Sequence, residues 1–348
     1  ISESMSFEDA AYMLILGVFV VAGCLYVFYP AWSLSWTKAP RLTEINLSSK
    51  SHPPIEKNSD SVLLSIVIPA YNEEQRLPKM LDAALAALEE AHLVILSKLQ
   101  KRTGTSYTTI EWIVVSDGST DETFSVAETY GKKFSGSSQF LPFIWKFIVL
   151  HPNSGKGAAV RAGMLAAKGS MRLMVDADGA TDFRALETLL DYKGGRGSME
   201  HNPSTHPEII FGSRAHLASQ TQRSFIRNFL MHAFHFSVRF LVGSSVQDTQ
   251  CGFKLFTQNA AELLFSNLKL QRWAFDIELV VLATKYLEME IGEVGVPWTE
   301  VEGSKLDSSK LQLAIVALGM LRDMLCVRLC YTFGIWKIVM QDNGKKRW

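Results

Sequence analysis

Hydrophobic and polar positions divide the chain into three regimes. In the first, Ala10 to Thr37 carries no charged residue and Ala11–Tyr29 is almost wholly apolar. As a helix rising about 1.5 Å per residue, that apolar stretch reaches roughly 28 Å, close to the hydrocarbon thickness of a bilayer. Tyr26, Tyr29, Trp32 and Trp36 gather at its C-terminal end like an interfacial aromatic belt. Acidic rather than basic residues precede it (Glu3, Glu8, Asp9), so it reads as a membrane anchor and not as a signal peptide. Lys38 and Arg41 follow it, and the positive-inside rule then expects the remainder of the chain in the cytosol. In that orientation the formal sequon Asn46-Leu47-Ser48 stays unmodified. A glycosidase-sensitive mass shift at Asn46 in native microsomes would reverse the orientation. Thr43–Ser61, with Ser, Pro and mixed charges, is expected to be a tether.

The second regime alternates apolar runs with polar loops. Val62–Ile68, Ile110–Val115, Phe143–Leu150 and Ser170–Val175 have the β-branched, unbroken look of buried strands. Each runs into a polar segment: Pro69–Glu74, Ser116–Asp121, His151–Gly157 and Asp176–Thr181. Helices are predicted from Pro78 to about Leu99, after Asp121, and over Ala158–Lys168. Strand, loop and helix in repetition predict a mostly parallel α/β sheet of Rossmann-like type with flanking helices. The loops then share its carboxyl edge, where such sheets bind ligands. Further on, Glu208–Gly212 and Glu293–Val296 read as strands and Gln247–Phe256 as a loop and strand. Phe225–Val242 and Phe275–Tyr286 read as helices, and Lys193–Pro207 as a surface insertion.

The third regime, Leu311–Met340, is apolar but interrupted by Arg322, Asp323, Arg328 and Lys337. Those charges argue against a second span. Amphipathic helices lying on the bilayer are expected, with ordinary core helices as the alternative. The predicted organisation is an anchor over 1–37, a linker over 38–61, a catalytic domain over 62–306 and C-terminal helices over 307–348.

Composition adds three limits. Lys plus Arg and Asp plus Glu both number 35, and this balance argues against nucleic-acid binding. At 47% hydrophobic over 348 residues, the chain can bury one large α/β core or two smaller ones. Cys24, Cys251, Cys326 and Cys330 form neither a disulfide framework nor a C-x-x-C metal pattern, which suits reduced thiols.

The chemistry concentrates at Asp176 and Asp178, two carboxylates one residue apart at a strand end. At that spacing a loop can turn both toward one hard cation, Mg²⁺ or Mn²⁺, although Asp and Gly also cluster in ordinary turns. Arg223 and Arg227 are four apart, on one helix face, and with Arg214 make a candidate anion site, since guanidinium forks match phosphate oxygens. Asn153–Gly157 (NSGKG) is not a P-loop, because Leu150 and Gly157 stand where that motif needs Gly and Ser or Thr.

The motifs PAYNEE (Pro69–Glu74), SDGSTD (Ser116–Asp121), NSGKG and DADGAT (Asp176–Thr181) resemble the inverting GT-A glycosyltransferases of family 2. GSRAHL (Gly212–Leu217), DTQCGFKLF (Asp248–Phe256), RWAFDIEL (Arg272–Leu279) and WTEVEGSKL (Trp298–Leu306) resemble the branch that moves glucose from UDP-glucose to dolichyl phosphate at the endoplasmic-reticulum membrane. The resemblance implies that Pro69, Tyr71 and Glu73 line the nucleotide pocket, that Asp117 accepts from the uracil ring, and that Lys156 approaches the nucleotide. It implies that Asp176 bridges sugar nucleotide and cation, with Asp178 the direct ligand. Arg214, Arg223, Arg227 and Lys305 are implied to hold the acceptor phosphate. Asp248, the obvious base candidate of the catalytic centre, is expected instead to orient arginines or the sugar, or simply to cap its loop. Related mannosyltransferases carry a Gln two residues after the second Asp, where this chain has Ala180; Asp182 and Glu278 are the candidate substitutes. Processive synthases need a Q-x-x-R-W motif, whereas Gln271 directly abuts Arg272 here. Two other readings stay open: transfer of another sugar such as mannose, and an inactive membrane-tethered scaffold that binds nucleotide sugars. Self-association is also open.

Overall fold

The apolar runs of the second regime become the centre of one sheet. The computed structural model describes residues 7–36, 41–46, 62–134, 142–193, 208–217, 246–301, 310–342 and 345–347. The strands of its main sheet are β1 (Arg41–Asn46), β2 (Val62–Ala70), β3 (Thr109–Ser116), β4 (Phe143–His151), β5 (Met171–Val175), β6 (Ile209–Ser213), β7 (Phe253–Thr257) and β8 (Ile291–Gly295). They lie in the order β1-β4-β3-β2-β5-β7-β6-β8. The block β4-β3-β2-β5 is parallel throughout. β7 is antiparallel to both β5 and β6, while β8 is parallel to β6. All the strands except β1 and β7 therefore point the same way.

Helices cover both faces, as continuous apolar strands require. Side chains alternate between them: Ile66, Ile68, Trp112 and Val114 join one cluster, Val67, Ile113 and Val115 the other. The first cluster lies under α2 (Leu77–Thr103), α3 (Thr123–Phe134) and α5 (Ala185–Asp191). The second lies under α4 (Lys156–Ala166), α6 (Gln258–Asn267), α7 (Phe275–Val281) and α8 (Lys310–Thr332). This sandwich fixes the carboxyl ends of β2, β3, β4 and β5 along one edge, where the four polar loops begin.

Three expectations change. Part of the expected tether is a strand: Arg41–Asn46 pairs antiparallel with β4, from Arg41 opposite His151 to Asn46 opposite Lys146. Glu44 supports it by reaching Lys146 Nζ at 3.2 Å. Second, the helix expected over Phe275–Tyr286 is α only to Val281 and continues as one π turn, in which Leu287 N donates to Leu282 O at 2.9 Å. Third, the C-terminal stretch supplies core: Met324, Cys326, Val327, Cys330 and Tyr331 of α8 are buried in the second cluster, while Ile315, Leu318 and Leu321 are exposed. The insertion expected after Lys193 and the helix expected over Phe225–Val242 lie outside the described residues.

The N-terminal apolar stretch forms α1 (Phe7–Trp36), which packs on α8. The Arg322 guanidinium stands over the rings of Tyr26 and Tyr29, at 5.3 and 5.7 Å. Over the residues whose side chains are described, no helix is long and apolar enough to cross a membrane.

α8 is also fastened to the domain by a buried acid. Glu278 accepts from Lys269 N at 3.0 Å, Leu270 N at 2.6 Å and Tyr331 Oη at 2.7 Å. Burial pushes its carboxyl up to about 7, against the pull of those donors. Its folded pKa lies above the unfolded value, so the stability it contributes is present below the unfolded pKa and lost as pH rises through about 7. Tyr331→Phe removes a donor from the ionised form and should cost about 1–3 kcal/mol. Denaturant melts of the full chain check this, and the loss should be larger on the alkaline side of that pKa than on the acid side.

Candidate active site

The loops at the carboxyl edge are tied to one another before any ligand is considered. After β2, Pro69 faces Val115 of β3 in the parallel ladder, and Tyr71 is exposed on the loop. Asn72 adopts a left-handed conformation (φ 53°), and its Oδ1 accepts from Thr120 N at 2.8 Å. Glu73 is buried. Its N–H donates to Thr123 Oγ1 at 2.8 Å, and Arg76 grips its carboxylate with Nε and Nη2 at 2.7 and 2.6 Å.

Asp117 ties the second loop to the third. Its Oδ1 accepts from Ser154 N and its Oδ2 from Gly155 N, both at 2.7 Å. Burial nevertheless leaves its carboxyl above the usual range. The residue expected to meet the uracil ring is thus also the clamp on the NSGKG loop. Gly155 has φ 100°, and a Cβ there would stand 2.6 Å from Gln271 O. Only glycine fits that turn and that approach. Ala158 N donates to the same Gln271 carbonyl at 2.9 Å, which seats the start of α4.

This brings Lys156 to the paired carboxylates. Its Nζ is 2.6 Å from Asp176 Oδ1 and donates to Oδ2 at 2.8 Å. Burial lowers its pKa, but the charges of Asp176 and Asp276 prevail and hold it above the ordinary lysine value. Asp178 accepts from Ala180 N at 3.0 Å; burial first, then the neighbouring Asp176 charge, raises its pKa. Asp176 Oδ1 is buried, and no hydrogen-bond donor among the described residues other than the Lys156 ammonium stands at it. A buried carboxylate oxygen held only by a mobile cation, beside a second carboxylate, suits a hard divalent cation. Asp176 and Asp178 would hold it. Among the described residues no group of three His, Cys, Asp or Glu side chains joins them, so the remaining ligands would come from substrate phosphate and water. Neither expected substitute belongs there. Asp182 Oδ1 accepts from Arg184 N at 2.9 Å at the start of α5, and Glu278 is committed to its three donors near α8.

β7 completes the site from the other half of the sheet. Asp176 N donates to Gly252 O at 3.0 Å, and a Cβ on Gly252 would stand 2.0 Å from Asp176 Oδ2. Gly252→Ala must therefore push the Asp176 carboxylate aside. A displacement of that order costs about 10²-fold in rate. Initial rates and melting temperature, measured together, should show that loss of turnover in a folded protein.

Beyond β6, Arg214 and Asp248 form a fork. Nε donates to Oδ2 at 2.7 Å, Nη2 to Oδ1 at 2.9 Å, and the Arg214 backbone N to Oδ2 at 2.9 Å. Asp248 is itself held through its N–H by Glu293 Oε1 at 2.8 Å. Burial alone would raise the Asp248 pKa, but the bonds and charge of Arg214 hold it below the usual range. The guanidinium also faces the Trp298 ring at 5.6 Å. Arg223, Arg227 and Lys305 lie outside the described residues.

Sequence reasoning missed Arg76, whose charge acts on Asp178, and the buried pair Lys254–Asp276, with Nζ 2.7 Å from Oδ1. Asp276 stands inside the quoted RWAFDIEL motif, yet spacing alone assigned it no part. Gly252 was equally silent, since close approach by the Asp176 carboxylate is a property of the folded chain.

The model of Glycosyl transferase family 2 matches residues 65–199. A dolichyl-phosphate beta-glucosyltransferase of Drosophila melanogaster is 44% identical over 301 residues, covering 84% of this chain and 82% of the relative. The Homo sapiens protein of that name is 44% identical over 81% of this chain and 79% of its own. The one from Saccharomyces cerevisiae (strain ATCC 204508 / S288c) is 34% identical over 94% of both. Identity at this level, sustained across both halves of a GT-A-like sheet, means that the chain belongs to the dolichyl-phosphate beta-glucosyltransferase family, within glycosyl transferase family 2.

Proposed function

We propose that this protein transfers glucose from UDP-glucose to dolichyl phosphate with inversion, giving dolichyl β-D-glucosyl phosphate. The observation that carries this reading is the 44% identity, over 84% of the chain, to a relative named for that transfer. Donor binding falls to Pro69, Tyr71, Glu73, Asp117 and Lys156, around the Asp176–Asp178 edge. A Mg²⁺ or Mn²⁺ ion on those two carboxylates would neutralise charge developing on the leaving diphosphate.

The acceptor needs no base. A phosphate monoester has a second pKa of about 6, so near neutrality its oxygen is already a nucleophile. It attacks the anomeric carbon from the face opposite UDP; the new C–O bond forms as the bond to the diphosphate breaks. The difficulty is bringing one anion to another, and cations relieve it. Arg214, oriented by Asp248, supplies one; Arg223, Arg227 and Lys305 are proposed to supply more. Asp248 is committed to Arg214 and serves as its orienter.

We assign α1 as a single-pass anchor in the endoplasmic-reticulum membrane, with the sheet on the cytosolic side. The uncharged run Ala10–Thr37, its aromatic end and the following Lys38 and Arg41 support this. The exposed apolar residues of α8 suit contact with the same bilayer. The test is to incubate purified full-length protein with labelled UDP-glucose or GDP-mannose plus a polyprenyl phosphate. A glucosylated lipid is expected from the first donor only. A mannosylated lipid would move the protein to another donor, and UDP binding without product would make it a scaffold.

A further inference from the structure

Three acids meet at the carboxyl edge, Asp176, Asp178 and Asp276. Lys156 and Lys254 are the lysines between them, and the charge of Arg76 acts on Asp178. Lys254 is spoken for, fully buried with Nζ 2.7 Å from Asp276 Oδ1. Lys156 sits on Asp176, at 2.6 and 2.8 Å from its two oxygens, and its ammonium also senses Asp276 and then Asp178. The backbone beneath Lys156 is fixed, because Gly155 N is held by Asp117 and Ala158 N by Gln271 O. Only the side chain can move. It is long and unbranched, and the Trp273 ring lies 5.8 Å from its Nζ.

A divalent cation at Asp176 Oδ1 would be repelled by the ammonium that stands 2.6 Å from the same oxygen. We propose that Lys156 is a built-in stand-in for the cation, holding the Asp176 carboxylate in place, and that a cation gains Asp176 only by driving the ammonium across to Asp276. This rests on the cation site proposed above and adds a consequence to it. Lys156 offsets the like-charge repulsion between Asp176 and Asp178, so the pair is preformed at the cost of competing with its own cation. Asp276 is the buried acid that can accept a second ammonium beside Lys254. The donor diphosphate offers Lys156 another anion, so nucleotide and cation should strengthen each other's binding.

Two measurements on the full-length protein in detergent test this. The first is Mn²⁺ affinity without nucleotide, read from the electron paramagnetic resonance signal of free Mn²⁺. If Lys156 occupies Asp176 nine-tenths of the time, only about a tenth of the molecules are competent, and freeing the site tightens binding about tenfold. Lys156→Gln should show that gain. Asp276→Asn should weaken Mn²⁺ binding in the wild-type background and leave it unchanged in the Lys156→Gln background. The second needs no substitution: zero-length carbodiimide crosslinking of the wild-type protein, read by mass spectrometry. The Lys156–Asp176 crosslink should dominate without Mn²⁺ and give way to Lys156–Asp276 with it. A Lys156–Asp176 crosslink that persists at saturating Mn²⁺, or a folded Lys156→Gln protein with unaltered Mn²⁺ affinity, would overturn the stand-in role alone. Wild-type protein that fails to bind Mn²⁺ even with UDP would remove the cation site itself, and this inference with it.

Discussion

Asp178→Asn should abolish turnover, by about 10³-fold in kcat, while leaving the melting temperature unchanged or slightly raised. The side chain accepts one backbone bond, from Ala180 N at 3.0 Å. The amide oxygen of Asn can accept it too, so the loop keeps its shape. What disappears is charge. Burial and the adjacent Asp176 already push the Asp178 carboxyl above its ordinary range, so the native fold bears a cost for ionising it that Asn does not carry. Catalysis loses that same charge at the place where the leaving diphosphate develops its own, and one such electrostatic contact is worth about 10²–10³-fold. Initial rates with UDP-glucose and dolichyl phosphate, beside circular-dichroism melts, decide the matter. Wild-type rates in saturating EDTA would defeat both the prediction and the cation assignment.

Arg214→Ala should raise the acceptor KM by about 10- to 100-fold, the worth of a hydrogen bond to a charged group. Asp248 takes Nε and Nη2, which leaves the Nη1 side of the guanidinium for a phosphate oxygen. Asp248→Asn should be milder and retain measurable turnover, because Asn can still accept from the arginine through one oxygen. Neither variant should introduce a basic limb in kcat/KM at a carboxylate pKa, since the acceptor oxygen arrives without its proton. An inactive Asp248→Asn that binds both substrates normally, beside a nearly silent Arg214→Ala, would sink the phosphate-acceptor reading. A hydroxyl acceptor, with Asp248 as its base, would replace it.

The central strands and their loops were legible because both signals are local. An unbroken apolar run such as VLLSIVI needs cover on both faces, and a polar segment such as DADGAT can only lie at an edge. β1 was not legible for the complementary reason. An edge strand needs one apolar face at most, and RLTEIN, with Leu42 exposed and Ile45 partly covered, is too short and mixed to stand out from a linker. The antiparallel course of β7 left no trace in periodicity, since alternation is the same in either direction. The site divides likewise. Asp176, Asp178 and Lys156 announce themselves by type and by loop. Gly252, Asp276 and Arg76 become functional only through distances across the fold, and each was an ordinary residue until its neighbour was known. Asp117 and Asp248 were visible as residues, but their clamping bonds to Ser154, Gly155 and Arg214 were not.

The order of the strands has a bearing on how the chain is made. β1 to β5 form one contiguous block and β6 to β8 another, and the two meet at a single seam, where β5 pairs with β7 from Met171 opposite Thr257 to Val175 opposite Phe253. During synthesis the first block emerges complete while the partner for β5 is still inside the ribosome. Until β7 arrives, β5 presents an open row of backbone donors and acceptors beside a largely apolar core, the kind of edge on which nascent chains aggregate. A product truncated between Asp191 and Gly252 would keep that edge for good. It would carry every motif of the nucleotide half and still be a substrate for chaperones and proteases rather than an enzyme.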